Sequence, residues 1–201
     1  MKPAKRAINA VWRMLAALGR SSRRGNLRRM RLRGEDLDDL IIREAVPADI
    51  PAVARLHVTT WNATYAPLGA RGPSAEVRER QWRDAFARGD PDWFCLVVQR
   101  ADGELVGFAQ ANRSDNPDYD GELRRLHLLS DYQRLGLGRR LVGRVARRFV
   151  ASGFASMWLS GDARNPSTRA WIAMGATTCD DDPGNGNYGW KDISPLTRYP
   201  E

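Results

Sequence analysis

The sequence predicts an α/β domain in which short apolar strands alternate with amphipathic helices. Three observations predict it. Gly121 to Val150 reads as strand, glycine-containing turn and helix in direct succession. Trp93 to Gln99 and Leu105 to Ala111 are apolar runs joined by Ala101-Asp102-Gly103-Glu104, whose Asp-Gly pair favours a hairpin. Strand-like runs and helical periodicity then keep alternating toward the C-terminus.

The 201 residues suffice for one domain with its own core. A hydrophobic share of 42% and a charged share of 28% fit a globular protein. No apolar run approaches the roughly 20 residues of a membrane span. The net charge of +8 points first to nucleic acid, but its distribution argues otherwise. Residues 1 to 34 hold eleven of the 32 Lys and Arg and no acidic residue, which leaves 21 basic against 24 acidic groups, a net of −3. The domain proper, 35 to 201, is thus mildly acidic, and the basicity belongs to an N-terminal extension. Cys95 and Cys179 are too few for a disulfide framework and too scattered for a zinc site. No metal is expected, and a reducing cytoplasm is the simplest setting. Cys95 falls in an apolar strand pattern and reads as a small buried hydrophobe.

Within the extension, Ile8, Val11, Trp12, Leu15 and Leu18 share one helical face, and Ser21 to Gly34 is polar and strongly basic. Arg13 interrupts the apolar run and argues against a secretory signal. The segment reads as a disordered or amphipathic extension, with Met30 as an alternative start. The partner such a segment would take is an anionic membrane surface or a nucleic acid.

The domain begins with a strand, Leu40 to Glu44. Val46-Pro47-Ala48-Asp49 turns the chain, with Asp49 as N-cap and Pro51 in the first turn of a helix that runs to about Tyr65. Ile50, Val53, Ala54 and Leu56 to Val58 supply its apolar positions, and His57 reads as a packed residue. Its end, Thr59 to Leu68, is richer in aromatics and hydroxyls than a plain helix end needs. Ser74 to Arg88 is a second helix with Trp82 and Phe86 on one face. After the hairpin, Asn112 to Gly121 is a polar loop. Leu123 to Leu129 is a strand interrupted by Arg124 and Arg125, and Ser130 to Gln133 a polar link. Leu137, Leu141, Val145 and Phe149 then recur every four residues, with Arg139, Arg140, Arg144, Arg147 and Arg148 mostly on the other face. Met157 to Ser160 is a strand. Asn165-Pro166 opens a helix, Ser167 to Met174, closed by Gly175. Ala176 to Cys179 is a strand, Asp180 to Asn187 an acidic, glycine-rich turn, and Tyr188 to Ile193 a final strand. There are no internal repeats.

The turn at the centre carries the chemistry. The first N–H groups of a helix lack partners within it, and the helix dipole makes that end positive. A glycine there lets a ligand approach the backbone, so such an end binds phosphate. Arg134 and Arg139 add full charges. A P-loop would need a Gly-x-x-x-x-Gly-Lys-Ser/Thr run, and no lysine is present. A dinucleotide loop would need Gly-x-Gly-x-x-Gly, a spacing that Gly136, Gly138 and Gly143 do not give. The spacing here is Gln133-x-x-Gly136-x-Gly138.

Between an apolar strand and an amphipathic helix, Gln133 to Gly138 resembles the acetyl-CoA pyrophosphate loop of the GNAT N-acetyltransferases. Leu126 to Tyr132 is similar to that family's fourth strand and its exit, and MWLSGDARNPSTRAWIAMGA, Met157 to Ala176, to its fifth strand and following helix, with Asn165, Pro166 and Gly175 in place. The resemblance covers roughly Ile41 to Leu196. It implies a mixed, largely antiparallel twisted sheet with helices on both faces, opened as a V between strands four and five. It implies an N-acetyltransferase with acetyl-CoA as co-substrate, a small-molecule or peptide amine as acceptor, and a homodimer.

Residue by residue, the resemblance implies a pyrophosphate held by Gln133, Arg134, Leu135, Gly136, Leu137, Gly138 and Arg139. The pantetheine arm would lie beside Leu126, His127 and Leu128, with the thioester carbonyl on a backbone N–H near Leu128. Asn165 is implied as a polar contact to that arm. The acceptor wall falls to Trp61 and Tyr65. Glu122 takes the place of a general base, since an alkyl amine must lose a proton before it attacks; Asp118, Tyr119 and Asp120 are further candidates in the adjacent loop. Trp171 stands where many relatives carry a tyrosine acid, and an indole N–H cannot serve as one. Water or Tyr188 would then protonate the leaving thiolate, or the chain would be a slow acyl-CoA-binding module.

Overall fold

Both faces of Phe94–Gln99 are apolar, and this places the strand inside a sheet covered on each side. Phe94, Leu96 and Val98 join one buried cluster while Cys95 and Val97 join a second. The computed structural model describes residues 22–162, 164–165, 167–179 and 186–201. Along the chain it has α1 (Arg23–Leu32), β1 (Ile41–Glu44), α2 (Ile50–Tyr65), α3 (Ala75–Ala87), β2 (Phe94–Gln99), β3 (Leu105–Arg113) and β4 (Gly121–Leu128). There follow α4 (Leu137–Ala151), β5 (Met157–Leu159), α5 (Thr168–Ile172), β6 (Thr177–Thr178) and β7 (Tyr188–Trp190).

The strands form one sheet in the order β1-β2-β3-β4-β5-β7-β6. Among the described residues only β4 and β5 run parallel; the other neighbours are antiparallel. The expected α/β class, with a mixed and largely antiparallel sheet and helices on both faces, is what forms. On one face α2 and α3 bring Val53, Ala54, Leu56 and Trp82 against Cys95, Val97 and Phe108. On the other, α4 buries Leu137, Leu141, Val145 and Phe149, the residues of its four-residue repeat. Burying each such side chain contributes about 1.5–3 kcal/mol before entropy is counted. Gly121 lies against the Phe149 ring, where a Cβ would fall 2.5 Å from Cε2, so this strand start needs glycine for the helix to come close.

The arginines on the outer side of α4 hold the fold together. Arg144 Nη1 donates to Ile42 O at 2.9 Å, Arg147 Nη1 to Thr197 O and Tyr199 O at 2.7 and 2.9 Å, and Arg148 pairs with Glu44 at 2.7 Å. Asp49 accepts from Val46 N at 2.8 Å and from both terminal nitrogens of Arg43, closing the turn from β1 into α2.

The basic segment expected as an extension up to residue 34 contributes α1 to the folded body. Ser22 Oγ caps this helix by accepting from Gly25 N at 3.1 Å. Met30 is 1% exposed and belongs to the larger cluster, with Leu27 packed beside it. The amphipathic run from Ile8 to Leu18 lies outside the described residues. Among the described residues no helix is long and apolar enough to cross a membrane.

Several element ends differ from expectation. The β3–β4 hairpin is longer than apolarity suggested, because Asn112 and Arg113 pair with Glu122 and Gly121. The last strands are shorter: β6 keeps only Thr177 and Thr178, and β7 stops at Trp190. There Asp192 Oδ1 accepts from Ser194 N at 2.8 Å and turns the chain into a short 3-10 segment, Ser194–Arg198. Pro166 and most of the acidic turn at 180–187 lie outside the described residues.

Candidate functional site

β4 and β5 pair at two positions only, Gly121 with Met157 and Glu122 with Trp158. Beyond them β4 continues to Leu128 while β5 ends at Leu159 and pairs with β7. The two strands therefore fork, and among the described residues one edge of β4 is left without a partner strand. Leu129 N donates to Val106 O of β3 at 2.9 Å. By strand alternation the main-chain groups of Leu128 and Leu126 point the other way, into the fork. Leu128 O accepts from Gln133 Nε2 at 3.0 Å. The Gln133 side chain thus braces the strand end and leaves the Leu128 N–H facing the fork.

The chain leaves β4 through a turn that exposes backbone. Arg134 has φ 61° and Gly136 φ 92°, both left-handed, and Gly136 caps α4. Leu135 and Leu137 are buried, 7% and 1% exposed, and anchor the turn from beneath. The residues around them face outward: Arg134, Gly136 and Arg139 are exposed. A Cβ built on Gly136 or Gly138 would meet nothing within 4 Å. No acidic residue lies in the first turn of α4. Unpaired N–H groups, a positive helix end, two arginines and open space at two glycines together fit a diphosphate.

α1 holds this turn from behind. Asn26 is fully buried; its Nδ2 donates to Ser130 O at 3.0 Å and to Gln133 O at 2.7 Å, and its Oδ1 accepts from Arg29. Arg29 and Arg33 pair with Asp131 at 2.9 and 3.0 Å. Tyr132 Oη donates to Glu35 Oε2 at 2.7 Å, and burial followed by that carboxylate pushes the phenol up to about 12. The sequence reading missed Asn26. Its signal was the spacing of Asn26, Leu27 and Met30, hidden among six arginines from Arg23 to Arg33.

A bulge sets what the other face of β4 presents. Gln110 pairs with Arg125 but Ala111 pairs with Leu123, so Arg124 is the extra residue. The bulge turns Leu123, Leu126 and Leu128 toward the α4 core and Arg125 and His127 toward α2 and α3. Thr60 Oγ1 donates to Leu56 O at 2.8 Å and lies 3.0 Å from His127 Nδ1. His57 is 3% exposed, its ring 4.9 Å from that of His127, and its Nδ1 has no hydrogen-bond partner. Burial, then the positive groups nearby, lower His57 to about 2 and His127 to about 4. Both imidazoles are neutral near pH 7.

Glu122 is 7% exposed and lies at the closed end of the fork, with Arg124 Nη1 3.1 Å from its Oε2. Its neighbours in the loop are engaged structurally. The Asp120 carboxylate accepts from Ala155 N, Ser156 N and Ser156 Oγ at 2.8 to 3.0 Å, bonds that hold it below the usual carboxylate range. Tyr119 lies against Gly189, with Lys191 Nζ 3.9 Å from its ring centroid. Tyr188 is buried on β7.

Two of the expected residues meet across the fork. Asn165 Nδ2 donates to Tyr65 Oη at 3.2 Å, and Asn165 Oδ1 accepts from Ser167 N at 3.0 Å. Trp61 and Tyr65 have ring centroids 5.0 Å apart, but one face of Trp61 also packs under the next loop, against Gly72. The Trp171 ring meets Trp190 edge-on at 6.4 Å and rests on the main core. Among the described residues no group of three or more His, Cys, Asp or Glu could hold a metal ion.

The sequence model of the Acetyltransferase (GNAT) family matches residues 52–176. A protein described as the uncharacterized N-acetyltransferase YuaI of Bacillus subtilis (strain 168) is 30% identical over 169 residues, covering 77% of this chain and 95% of its own. Among solved structures, PaiA N-acetyltransferase of Thermoplasma acidophilum, in complex with coenzyme A, superposes with a TM-score of 0.57 at 19% identity, over 75% of this chain and 97% of that one. A phosphinothricin acetyltransferase of Sinorhizobium meliloti, in complex with AcCoA, gives 0.55 at 21% identity, over 71% and 77%.

Proposed function

Because the chain belongs to the GNAT acetyltransferase family, we propose that it moves the acetyl group of acetyl-CoA directly onto the nitrogen of a primary amine within a ternary complex. The observation that carries this reading is the fork: an edge of β4 at Leu126 and Leu128 with no partner strand among the described residues runs into the phosphate-fitted turn at 133–139. The turn holds the diphosphate through backbone N–H groups, Arg134 and Arg139. Leu126 to Leu128 pair with the pantetheine amides as an added strand would. A backbone N–H near Leu128 polarises the thioester carbonyl. Asn165 offers a polar contact to the same arm, and Trp171 lies on the side of α5.

The amine nitrogen attacks the thioester carbonyl carbon; the new N–C bond forms as the C–S bond breaks, and the coenzyme leaves as thiolate. Glu122 takes the proton the amine must lose. No side chain is assigned as acid: the indole of Trp171 cannot be one, and water protonates the thiolate. Trp61 and Tyr65 wall the acceptor side. Trp171 favours one second reading, a slow acyl-CoA-binding module, in which the coenzyme binds but no amine accelerates thiol release.

The test is a continuous assay of free thiol with acetyl-CoA and a panel of primary amines. Amine-dependent release is expected, and Glu122→Gln should lower kcat about 10²- to 10⁴-fold at unchanged acetyl-CoA affinity. Release independent of every amine would overturn the transfer reading. Unchanged kcat in the variant would remove Glu122 from its role.

A further inference from the structure

Arg125 is on the α2–α3 face of β4 because of the bulge at Arg124. That face also carries Phe108, Trp82, His57 and His127, largely apolar surroundings in which a guanidinium is costly to bury without an anion. Its Nη1 donates to Gln110 Oε1, and Gln110 Nε2 donates to Asn112 Oδ1 at 3.1 Å, so a neutral amide orients it. The guanidinium also lies 5.8 Å from the centroid of the Trp82 ring. One turn before Trp82, on the same side of α3, Arg78 bonds neutral Gln81 Oε1 at 3.0 Å. Glu122, a carboxylate on this face, forms its ion pair with Arg124 and acts on Arg125 only from farther away. Burial, then Arg124 and Arg78, bring Arg125 down to about 10 against the opposing pull of Glu122, and Arg78 and Arg125 both act on His57 and His127. Two half-buried arginines, Arg125 beside the Trp82 ring and Arg78 one helical turn before it, thus have neutral hydrogen-bond partners and no ion pair among the described residues.

We infer that Arg78 and Arg125 form an anion subsite of the acceptor pocket, and that the amine accepted here carries a carboxylate, as a compact amino acid does. The inference rests on the acetyltransferase reading above. Strand register supplies the scale. Glu122 pairs with Asn112 and Arg125 with Gln110, two residues apart on β3 and so about 7 Å. Side chains rooted at that backbone spacing are within reach of the amine and the carboxylate of one small molecule. A polyamine would set a second positive charge against Arg78 and Arg125, which is discrimination by repulsion. The mildly acidic charge of residues 35–201 as a whole hides this local reversal of sign.

The experiment compares kcat/KM for amino acids, their carboxamides and diamines of matched length, beside a calorimetric titration of acetyl-CoA. The wild type should prefer an amino acid over its own amide by about 100-fold. Arg125→Met and Arg78→Met should each erase most of that preference by raising KM for the acid, with acetyl-CoA affinity unchanged. Arg78 is the safer variant, because Arg125 also packs on Trp82; unchanged circular dichroism and thermal midpoint qualify either one. Amides or diamines used as well as acids, or a preference that survives in both variants, would overturn the anion subsite while leaving acetyl transfer intact. Failure of the folded wild type to bind acetyl-CoA would overturn the acetyltransferase reading and the subsite with it.

Discussion

Asn165 donates from Nδ2 to Tyr65 Oη at 3.2 Å, joining the end of α2 to the loop after β5 across the mouth of the fork. In the proposed reading Tyr65 walls the acceptor and Asn165 contacts the coenzyme, so the bond would couple the two halves of the site. Tyr65→Phe keeps the ring and its contact with Trp61 but loses the bond, which is worth about 1 kcal/mol net. About a five-fold rise in KM for the acceptor is expected, with a smaller change in acetyl-CoA affinity. Asn165→Ala also removes the acceptor of Ser167 N and should weaken acetyl-CoA further. Steady-state kinetics on the two single variants and the double variant measure the coupling, and strict additivity would place the bond outside the site.

Asn26 turns a stretch that reads as a tail into a support for the phosphate turn. It is fully buried, and Asn26→Ala strips partners from Ser130 O and Gln133 O at once. A loss of about 2–3 kcal/mol in urea unfolding is expected, together with weaker acetyl-CoA binding, because Gln133 opens the turn. Met30→Ala provides the contrast. It should cost a similar 2–5 kcal/mol as a core cavity yet leave the affinity of the remaining folded protein near wild type.

The paired imidazoles set a pH dependence of stability. His57 and His127 stay neutral in the fold down to about 2 and about 4, against 6.5 when exposed. Above 6.5 both states are neutral and the contribution is complete. As pH falls below 6.5 the unfolded chain takes up protons that the fold refuses, so stability falls, for His127 until about pH 4. The slope approaches ~1.4 kcal/mol per pH unit for each imidazole. Urea unfolding at pH 7 and pH 5 should show a smaller difference for His127→Gln than for wild type. An equal difference would mean that His127 is charged in the fold.

β4, the glycine turn and α4 were legible because each is written in local periodicity. Leu137, Leu141, Val145 and Phe149 recur at helical spacing, and Gly136 and Gly138 mark where backbone must be open. The hydrogen bond between Tyr65 and Asn165 was not legible, since it joins residues a hundred positions apart that only the sheet order brings together. Arg125 was visible only as an interruption in an apolar strand. Its direction depends on the bulge at Arg124, which is a property of pairing with β3. The seat of α1 was masked by charge: Met30 and Leu27 form a stripe too narrow to stand out among the arginines. Asn112 and Arg113 were read as loop because they are polar, although an antiparallel hairpin can carry polar residues at its open end.

Gly138 offers the most direct test of the phosphate turn. It lies in the first turn of α4 without left-handed backbone, and a Cβ there meets no protein atom within 4 Å. Gly138→Ala should therefore fold as well as wild type, or better by up to ~1 kcal/mol from helix propensity, while a methyl group enters the space assigned to the diphosphate. Calorimetric titration of acetyl-CoA into both proteins should give micromolar binding by the wild type and a loss of at least about ten-fold in the variant. No binding by folded wild type, or equal binding by Gly138→Ala, would contradict the assignment of 133–139 as the coenzyme's phosphate site.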